Sequence, residues 1–112
     1  MRLLRIGALP GDALSASAQF HAEVLPKILS EVACGDTVTL AFAPADHTHR
    51  SWRLAVVQGL ARQYAPVRVN ALASDDERAI AATLAYLEAA EGVTGQLLQL
   101  DSNGAAEVLS ST

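Results

Sequence analysis

The sequence is poor in cysteine, in aromatic residues and in clustered basic residues. Because Cys34 is the only cysteine, an intramolecular disulfide and a metal site built from four cysteines are both excluded. The formal net charge is −4 at pH 7, and no basic cluster interrupts it. Nucleic-acid binding requires lysine and arginine to replace the counterions of the phosphates, so the charge argues against that class of partner.

Long hydrophobic runs are also missing. No stretch approaches the roughly 18 consecutive apolar residues that a membrane-spanning helix needs. The apolar start of the chain is interrupted by Arg5 and is too short for the core of a signal peptide. The 112 residues match the size of a single domain, so the sequence predicts one soluble domain in the cytoplasm.

What the sequence does contain is a regular alternation of strand and helix patterns. Helical spacing of apolar residues covers residues 13–32 and 50–64, and a third helix is expected from Ser74, which forms a capping box with Glu77. Pro26 lies inside the first of these helices and is expected to kink or split it. The short apolar runs that predict strands are residues 3–6, 37–42, 67–72 and 96–100.

This β-α-β-α-β-α-β order predicts a parallel sheet with helical crossovers. Right-handed crossovers that step in one direction across a sheet place every helix on the same face. The other face would then be exposed and apolar, which parallel sheets rarely tolerate. We therefore expect either that one helix crosses to the far face or that another subunit covers it.

Three motifs follow one another in the second half of the chain. The first is Gln-Gly-Leu-Ala-Arg at residues 58–62, and the second is Ala-Pro-Val-Arg-Val-Asn-Ala-Leu-Ala at residues 65–73. The third is Val-Thr-Gly-Gln at residues 93–96, with Asp101 after an apolar strand. Their order resembles the C-terminal half of the short-chain dehydrogenase/reductase family, and a weaker likeness covers residues 20–26 and 36–38.

The departures from that family concern its chemistry. No segment matches the family's Thr-Gly-x-x-x-Gly-x-Gly loop, which binds the dinucleotide cofactor. The family's Tyr-x-x-x-Lys pair falls on Arg50 and Leu54, and its serine falls near Ala41 or Phe42. These residues cannot replace a tyrosine that acts as general acid or base, or the lysine that lowers its pKa. The resemblance therefore implies a degenerate relative with no catalytic residues and no cofactor.

By length, the chain corresponds to the family's fourth strand onward. The resemblance implies a small Rossmann-like α/β domain of two or three layers, with about four parallel strands in sequential order and three crossover helices. This truncated domain is expected to occupy residues 1–104, and residues 105–112 are expected to form a flexible tail. In the family the two long helices form the main dimer contact. The resemblance thus implies a homodimer, or docking onto a full-length short-chain dehydrogenase.

One polar segment, residues 46–53, follows a predicted strand and opens a predicted helix. In open α/β sheets, ligands bind beyond the carboxyl ends of the strands, and helix N-termini attract anions. The segment is therefore a candidate site for a small phosphate or carboxylate, or alternatively a polar surface loop in which Asp46 or Thr48 caps the helix. Its candidate residues are Asp46, His47, His49, Arg50 and Arg53.

The same segment raises the possibility of a metal site, because His47 and His49 flank one residue next to Asp46. Zinc usually requires three or four protein ligands. Only His21 remains as a further histidine, and Cys34 is remote in sequence, so no metal is expected.

Three functional hypotheses remain open. The first is a non-catalytic protein that acts by association with itself or with a partner protein. The second is a module that binds a small anion or nucleotide at residues 46–53. The third is a residual oxidoreductase-like enzyme or new chemistry at the same segment, although the sequence offers no recognisable pair of nucleophile and base.

Overall fold

The chain folds into one parallel sheet with a helical connection between each pair of successive strands. The computed structural model describes residues 1–100, so the predicted tail at 105–112 lies outside the described residues. None of the helices in the described part is long and apolar enough to cross a membrane. The strands are Arg2–Arg5 (β1), Val38–Phe42 (β2), Val69–Ala73 (β3) and Leu97–Gln99 (β4). The helices are Ala13–Gln19 (α1), Leu25–Val32 (α2), Arg50–Gln63 (α3) and Glu77–Ala89 (α4), with a π-helical turn at Phe20–Val24 and a 3-10 turn at His47–His49.

The strand order is β1-β2-β3-β4, and all three pairings are parallel. One row across the sheet joins Leu4, Leu40, Ala71 and Leu97. The predicted fold class, with four parallel strands in sequential order and three crossovers, is confirmed. The two central strands are buried along their whole length, as their continuous apolar character requires.

The two faces of the sheet are covered by different helices. Leu40 and Phe42 point to the face where α2 and α3 pack, in a core that includes Ile28 and Val57. Alternate residues point to the opposite face, where Ile80 of α4 packs in a second, smaller apolar cluster with Ala41 and Leu72. The first of the two arrangements expected from the sequence is therefore correct: one helix lies on the far face.

The position of α4 fixes the hand of the last crossover. All strands are parallel, and each connection steps in the same direction across the sheet. Because α4 lies on the opposite face from α2 and α3, the β3-α4-β4 crossover has the opposite hand to the two before it. Crossovers in parallel sheets are right-handed in about 98% of cases, so the need to cover both faces outweighs this preference here.

Pro26 splits the first long helix, as the sequence predicts. The proline stands at the first turn of α2, where its missing N–H is tolerated. The preceding turn widens to π-helical geometry, in which the N–H of Leu25 donates to the carbonyl of Phe20. Phe20, at the start of this wider turn between α1 and α2, is fully buried.

The predicted cap of the last helix is wrong. Asp76 is the N-cap of α4, and its carboxylate accepts hydrogen bonds from the N–H groups of Arg78 and Ala79. Ser74 lies two residues earlier, and its hydroxyl accepts from the N–H of Asp76. Glu77 does not complete a capping box, because its carboxylate forms two hydrogen bonds with Arg5 on β1. The capping box does not form because the carboxylate of Asp76 lies nearer the first N–H groups of α4, and because Glu77 is paired with Arg5.

Asn70 holds the last turn of the chain against the sheet. Its side chain is fully buried, donates to the carbonyl of Val93 at 3.0 Å and accepts from the N–H of Gln96 at 3.1 Å. Beside it, the hydroxyl of Thr94 accepts from the N–H of Val69 at 3.0 Å. These contacts satisfy backbone groups at the start of β3 and in the segment before β4, so both residues have structural roles.

We expect Asn70→Ala to lower the free energy of unfolding by about 1–3 kcal/mol, because it removes a buried amide that bonds the carbonyl of Val93 and the N–H of Gln96. Urea unfolding followed by circular dichroism measures the change. Gln99→Ala, at an exposed amide, is the control and is expected to stay within about 0.5 kcal/mol of the native chain. Equal stabilities of the two variants would contradict this role for Asn70.

Candidate functional site

A cavity of about 280 Å³ opens where β1 and β2 end. Its walls come from the connection after β1, from the end of β2 and from the start of α3. Nine of its twelve lining residues are apolar or glycine, and Ile6 and Phe42 are among them. Three lining residues carry ionisable side chains, and all three belong to the predicted segment 46–53: Asp46, His49 and Arg53.

Arg53 is the most unusual of the three because it is a buried cation. It lies in the first turn of α3 and is only 4% exposed. Its Nη1 donates to the carbonyl of Ala43 at 3.0 Å, and its guanidinium carbon lies 4.5 Å from the centre of the Phe42 ring. The carbonyl and the ring stabilise the cation only in part, because neither carries a full negative charge.

No carboxylate pairs with Arg53 among residues 1–100. In addition, its Nε is buried without a hydrogen-bond partner in this part of the chain. Burial lowers the pKa of Arg53 below its usual value, but a guanidinium remains protonated at neutral pH. The cavity is therefore lined by a positive charge whose loss of hydration is not offset by a nearby anion.

His49 closes one wall of the cavity and is also buried, at 4% exposure. Its Nε2 lies 2.8 Å from the carbonyl oxygen of Gly11, and its Nδ1 lies 3.3 Å from Nε1 of Trp52. The indole can only donate and the carbonyl can only accept, so these partners require a neutral imidazole with its proton on Nε2. His49 thus joins the connection after β1 to the start of α3. Because its imidazole is neutral in this arrangement, the positive charge of the cavity is that of Arg53.

Asp46 lines the rim of the cavity, where it is exposed. It caps the 3-10 turn, as one of the two sequence interpretations requires, and its carboxylate accepts from both the hydroxyl and the N–H of Thr48. These two hydrogen bonds lower the pKa of Asp46, so the carboxylate is ionised at neutral pH. Its charge is directed to the turn and is hydrated, which limits its effect on the interior of the cavity.

The structure therefore divides the predicted segment. Asp46, His49 and Arg53 meet at the cavity, whereas His47 and Arg50 are exposed and lie outside its lining. The sequence interpretation also missed the opposite wall, residues 6–11. Adjacent parallel strands end at the same edge of a sheet, so the order of β1 and β2 is the signal that could have identified it.

A metal site is not formed at this segment. Within residues 1–100, no group of three histidine, cysteine, aspartate or glutamate side chains is positioned to hold a metal ion. Both ring nitrogens of His49 are engaged with protein groups, and Nδ1 of His21 lies 2.7 Å from the carbonyl of Ser17. Cys34 is exposed in the turn that follows α2.

The connection between β1 and α1 does not fit the pyrophosphate of a dinucleotide. Such a loop needs free N–H groups and glycines that allow close approach of the backbone. Here Pro10 has no N–H, and the carboxylate of Asp12 caps α1 by accepting from the N–H of Ser15. That hydrogen bond lowers the pKa of Asp12, so a negative charge stands where a phosphate would have to bind.

The positions that align with the family's catalytic residues lack acid–base groups. Ala41 and Phe42 are buried in the sheet, Arg50 is exposed, and Leu54 packs against the main core. Arg53, which the alignment does not match to a catalytic residue, is the side chain that reaches the cavity instead. The geometry is thus suited to holding a ligand by charge, with no hydroxyl–amine couple beside it.

Comparison with known proteins gives one match. A family model described as "Short chain dehydrogenase-like protein" matches residues 4–100, which include the last three strands, all helices and the lining of the cavity. No curated protein and no solved structure matches the chain.

We expect His49→Ala to lower the free energy of unfolding by about 1–3 kcal/mol, because it leaves the indole N–H of Trp52 and the carbonyl of Gly11 without partners. Denaturation followed by the fluorescence of Trp52 measures both the stability and the environment of the indole. His47→Ala removes an exposed imidazole and serves as the matched control, with a change below about 0.5 kcal/mol. If the two variants unfold alike, His49 does not connect these segments.

Proposed function

This chain belongs to the short-chain dehydrogenase-like family, and from that premise we propose that it is a non-catalytic member that binds a small organic anion. The proposed site is the cavity at the carboxyl ends of β1 and β2. The single observation that carries the proposal is the buried guanidinium of Arg53, which lines this cavity and has no carboxylate partner among residues 1–100.

An uncompensated buried cation destabilises a folded protein unless something provides the opposite charge. An anion that enters the cavity would offset the desolvation of Arg53 and gain from the low polarity around it. Hydrogen bonds to charged groups are worth about 1.5–3 kcal/mol, roughly twice those between neutral groups. A buried arginine at this position is therefore explained by ligand binding better than by folding.

The lining favours a carboxylate attached to an apolar body. A guanidinium presents donors in a planar fork that matches the two oxygens of a carboxylate. Ile6, Leu9 and Phe42 provide apolar surface around it, which a fully hydrated inorganic anion would not use. The volume of about 280 Å³ suits a small molecule of this kind.

The non-catalytic part of the proposal is supported by what lines the cavity. His49 is the only imidazole there, and both its nitrogens are bound to protein groups. Asp46 is committed to the 3-10 turn. Neither side chain is placed beside a serine, cysteine or tyrosine of the lining, so no nucleophile is activated.

Association with itself or with a full-length relative is the second candidate function, and the family resemblance implies that it uses the two long helices. The exposed residues of α3 give that surface little apolar area, because they are polar or small: Arg50, Ser51, Ala55, Gln58, Arg62 and Gln63. A dimer through these helices stays a prediction.

We expect benzoate to shift the amide resonances of residues 6–9, 11, 43, 45 and 46 in a heteronuclear NMR titration of the native chain. Arg53→Met is expected to weaken this binding by about 10- to 150-fold, which corresponds to the loss of a charged hydrogen bond. Arg50→Met removes an exposed arginine of the same helix and is the matched control, with affinity within about twofold of native. Titrations with acetate and inorganic phosphate show whether the apolar body contributes. Absence of shifts at these amides with all three anions would refute the proposed site.

The same substitution gives a separate expectation for stability. Without ligand, we expect Arg53→Met to leave the free energy of unfolding unchanged or to raise it by up to about 2 kcal/mol, because it replaces an uncompensated buried cation by an apolar side chain of similar length. Thermal unfolding without added anions measures the effect. A loss of more than about 2 kcal/mol would show that Arg53 serves the fold, in contradiction to the binding role.

A further inference from the structure

The outer edge of β1 is open. Among the described residues β1 pairs only with β2, with the N–H of Arg2 bonded to Thr37 and the N–H of Ile6 bonded to Ala41. In a strand, the N–H and C=O groups of alternate residues point to opposite sides. The N–H and C=O groups of Leu3 and Arg5 therefore point away from the sheet and are available to another strand.

A groove of about 270 Å³ runs along this edge between β1 and α2. Its apolar wall includes Leu4, Val24 and Ile28, and its charged wall carries Lys27 and Glu31. An open strand edge next to an apolar groove is a surface on which a further strand can add, because main-chain hydrogen bonds and side-chain burial act together.

We propose that β1 pairs antiparallel with β1 of a second copy of this chain, about a two-fold axis that passes beside Leu4. In this register Leu3 of each copy lies opposite Arg5 of the other. This gives two Leu3–Arg5 pairs, and each is a hydrogen-bonded pair with two hydrogen bonds. The four bonds satisfy the two N–H and two C=O groups that each copy offers. The result is one continuous eight-stranded sheet made from two four-stranded sheets.

The second copy is favoured as occupant because the edge is self-complementary. Leu4 of each copy faces Leu4 of the other in a non-hydrogen-bonded pair, on the face where the apolar groove lies. A two-fold interface requires the same patch on both partners, and this register uses the same three residues twice.

The charges along the edge are compatible with self-pairing. Both arginines of β1 are neutralised within their own copy: Arg2 by Glu31 at 2.7 Å and by Asp36 at 3.2 Å, and Arg5 by Glu77 at 2.8 Å. Two copies of β1 therefore approach without net repulsion. The two-fold axis also brings α2 towards α2 of the second copy, so Lys27 and Glu31 of each copy lie at the rim of the shared surface. Lys27 has no ion pair of its own within residues 1–100.

Disulfide trapping tests the register directly. In a Cys34→Ser background, Leu4→Cys places two thiols in a non-hydrogen-bonded pair, with Cα atoms about 4.5 Å apart and within the range of a disulfide. Leu3→Cys is the matched control, because its symmetry mate lies diagonally at about 7–8 Å, beyond that range. We expect the Leu4→Cys dimer to form at least about tenfold faster at equal protein concentration. Equal rates, or faster trapping of Leu3→Cys, would overturn the register.

Sedimentation equilibrium tests the association without cysteines. We expect the native chain to dimerise reversibly with a dissociation constant below about 1 mM, which is the range of weak interfaces. Leu3→Pro removes one outward N–H and no β1–β2 hydrogen bond, so it is expected to be monomeric at the same concentrations. Gln99→Pro removes an outward N–H from the opposite edge, on β4, and is expected to dimerise like the native chain. A native chain that stays monomeric, or a Gln99→Pro chain that alone fails to dimerise, contradicts the proposal.

The dimer and the anion site have separate tests. Neither Leu3→Pro nor the cysteine variants change a side chain that pairs with Arg53, and Arg53→Met changes no residue of the edge or its groove. Benzoate binding by a monomeric chain would refute only the dimer. A dimer that does not bind anions would refute only the proposed function.

Discussion

The burial of both faces of the two central strands is the constraint on which the rest of this structure depends. Every residue of β2 and β3 is buried, so apolar layers are needed above and below the sheet. One face receives α2 and α3, and the other receives α4 through a crossover of opposite hand. A chain of this size cannot leave an apolar sheet face in water, and this requirement outweighs the usual preference for one hand.

The candidate site follows from the same arrangement. Because β1 and β2 are adjacent and parallel, their carboxyl ends open into one cleft, and the start of α3 closes it. His49 fixes the geometry by joining Gly11 to Trp52, while Arg53 contributes a charge that the fold does not neutralise. The two buried residues of the cleft thus differ: both ring nitrogens of His49 have partners, whereas Arg53 has no carboxylate partner among residues 1–100.

The two proposals use different parts of the sheet. The anion site uses the ends of the strands, where backbone groups and helix starts converge. The dimer uses the side of β1, where a strand lacks a neighbour among the described residues. Arg2 and Arg5 connect this edge to both helical layers through Glu31 and Glu77, so the edge strand is held in position while its outward groups remain free. A contact of three strand residues from each copy is suited to weak, reversible association.

The sequence by itself determined the order of the elements, the parallel sheet, the break at Pro26 and the family resemblance, because apolar periodicity and turn residues act over short distances. It also identified the segment that contains Arg53. Only the tertiary structure decided which face α4 covers, that Asp76 rather than Ser74 caps α4, and that His47 and Arg50 point away while residues 6–11 complete the cavity. These outcomes depend on contacts between residues far apart in the chain, such as His49 with Gly11 and Arg5 with Glu77, which local patterns do not encode.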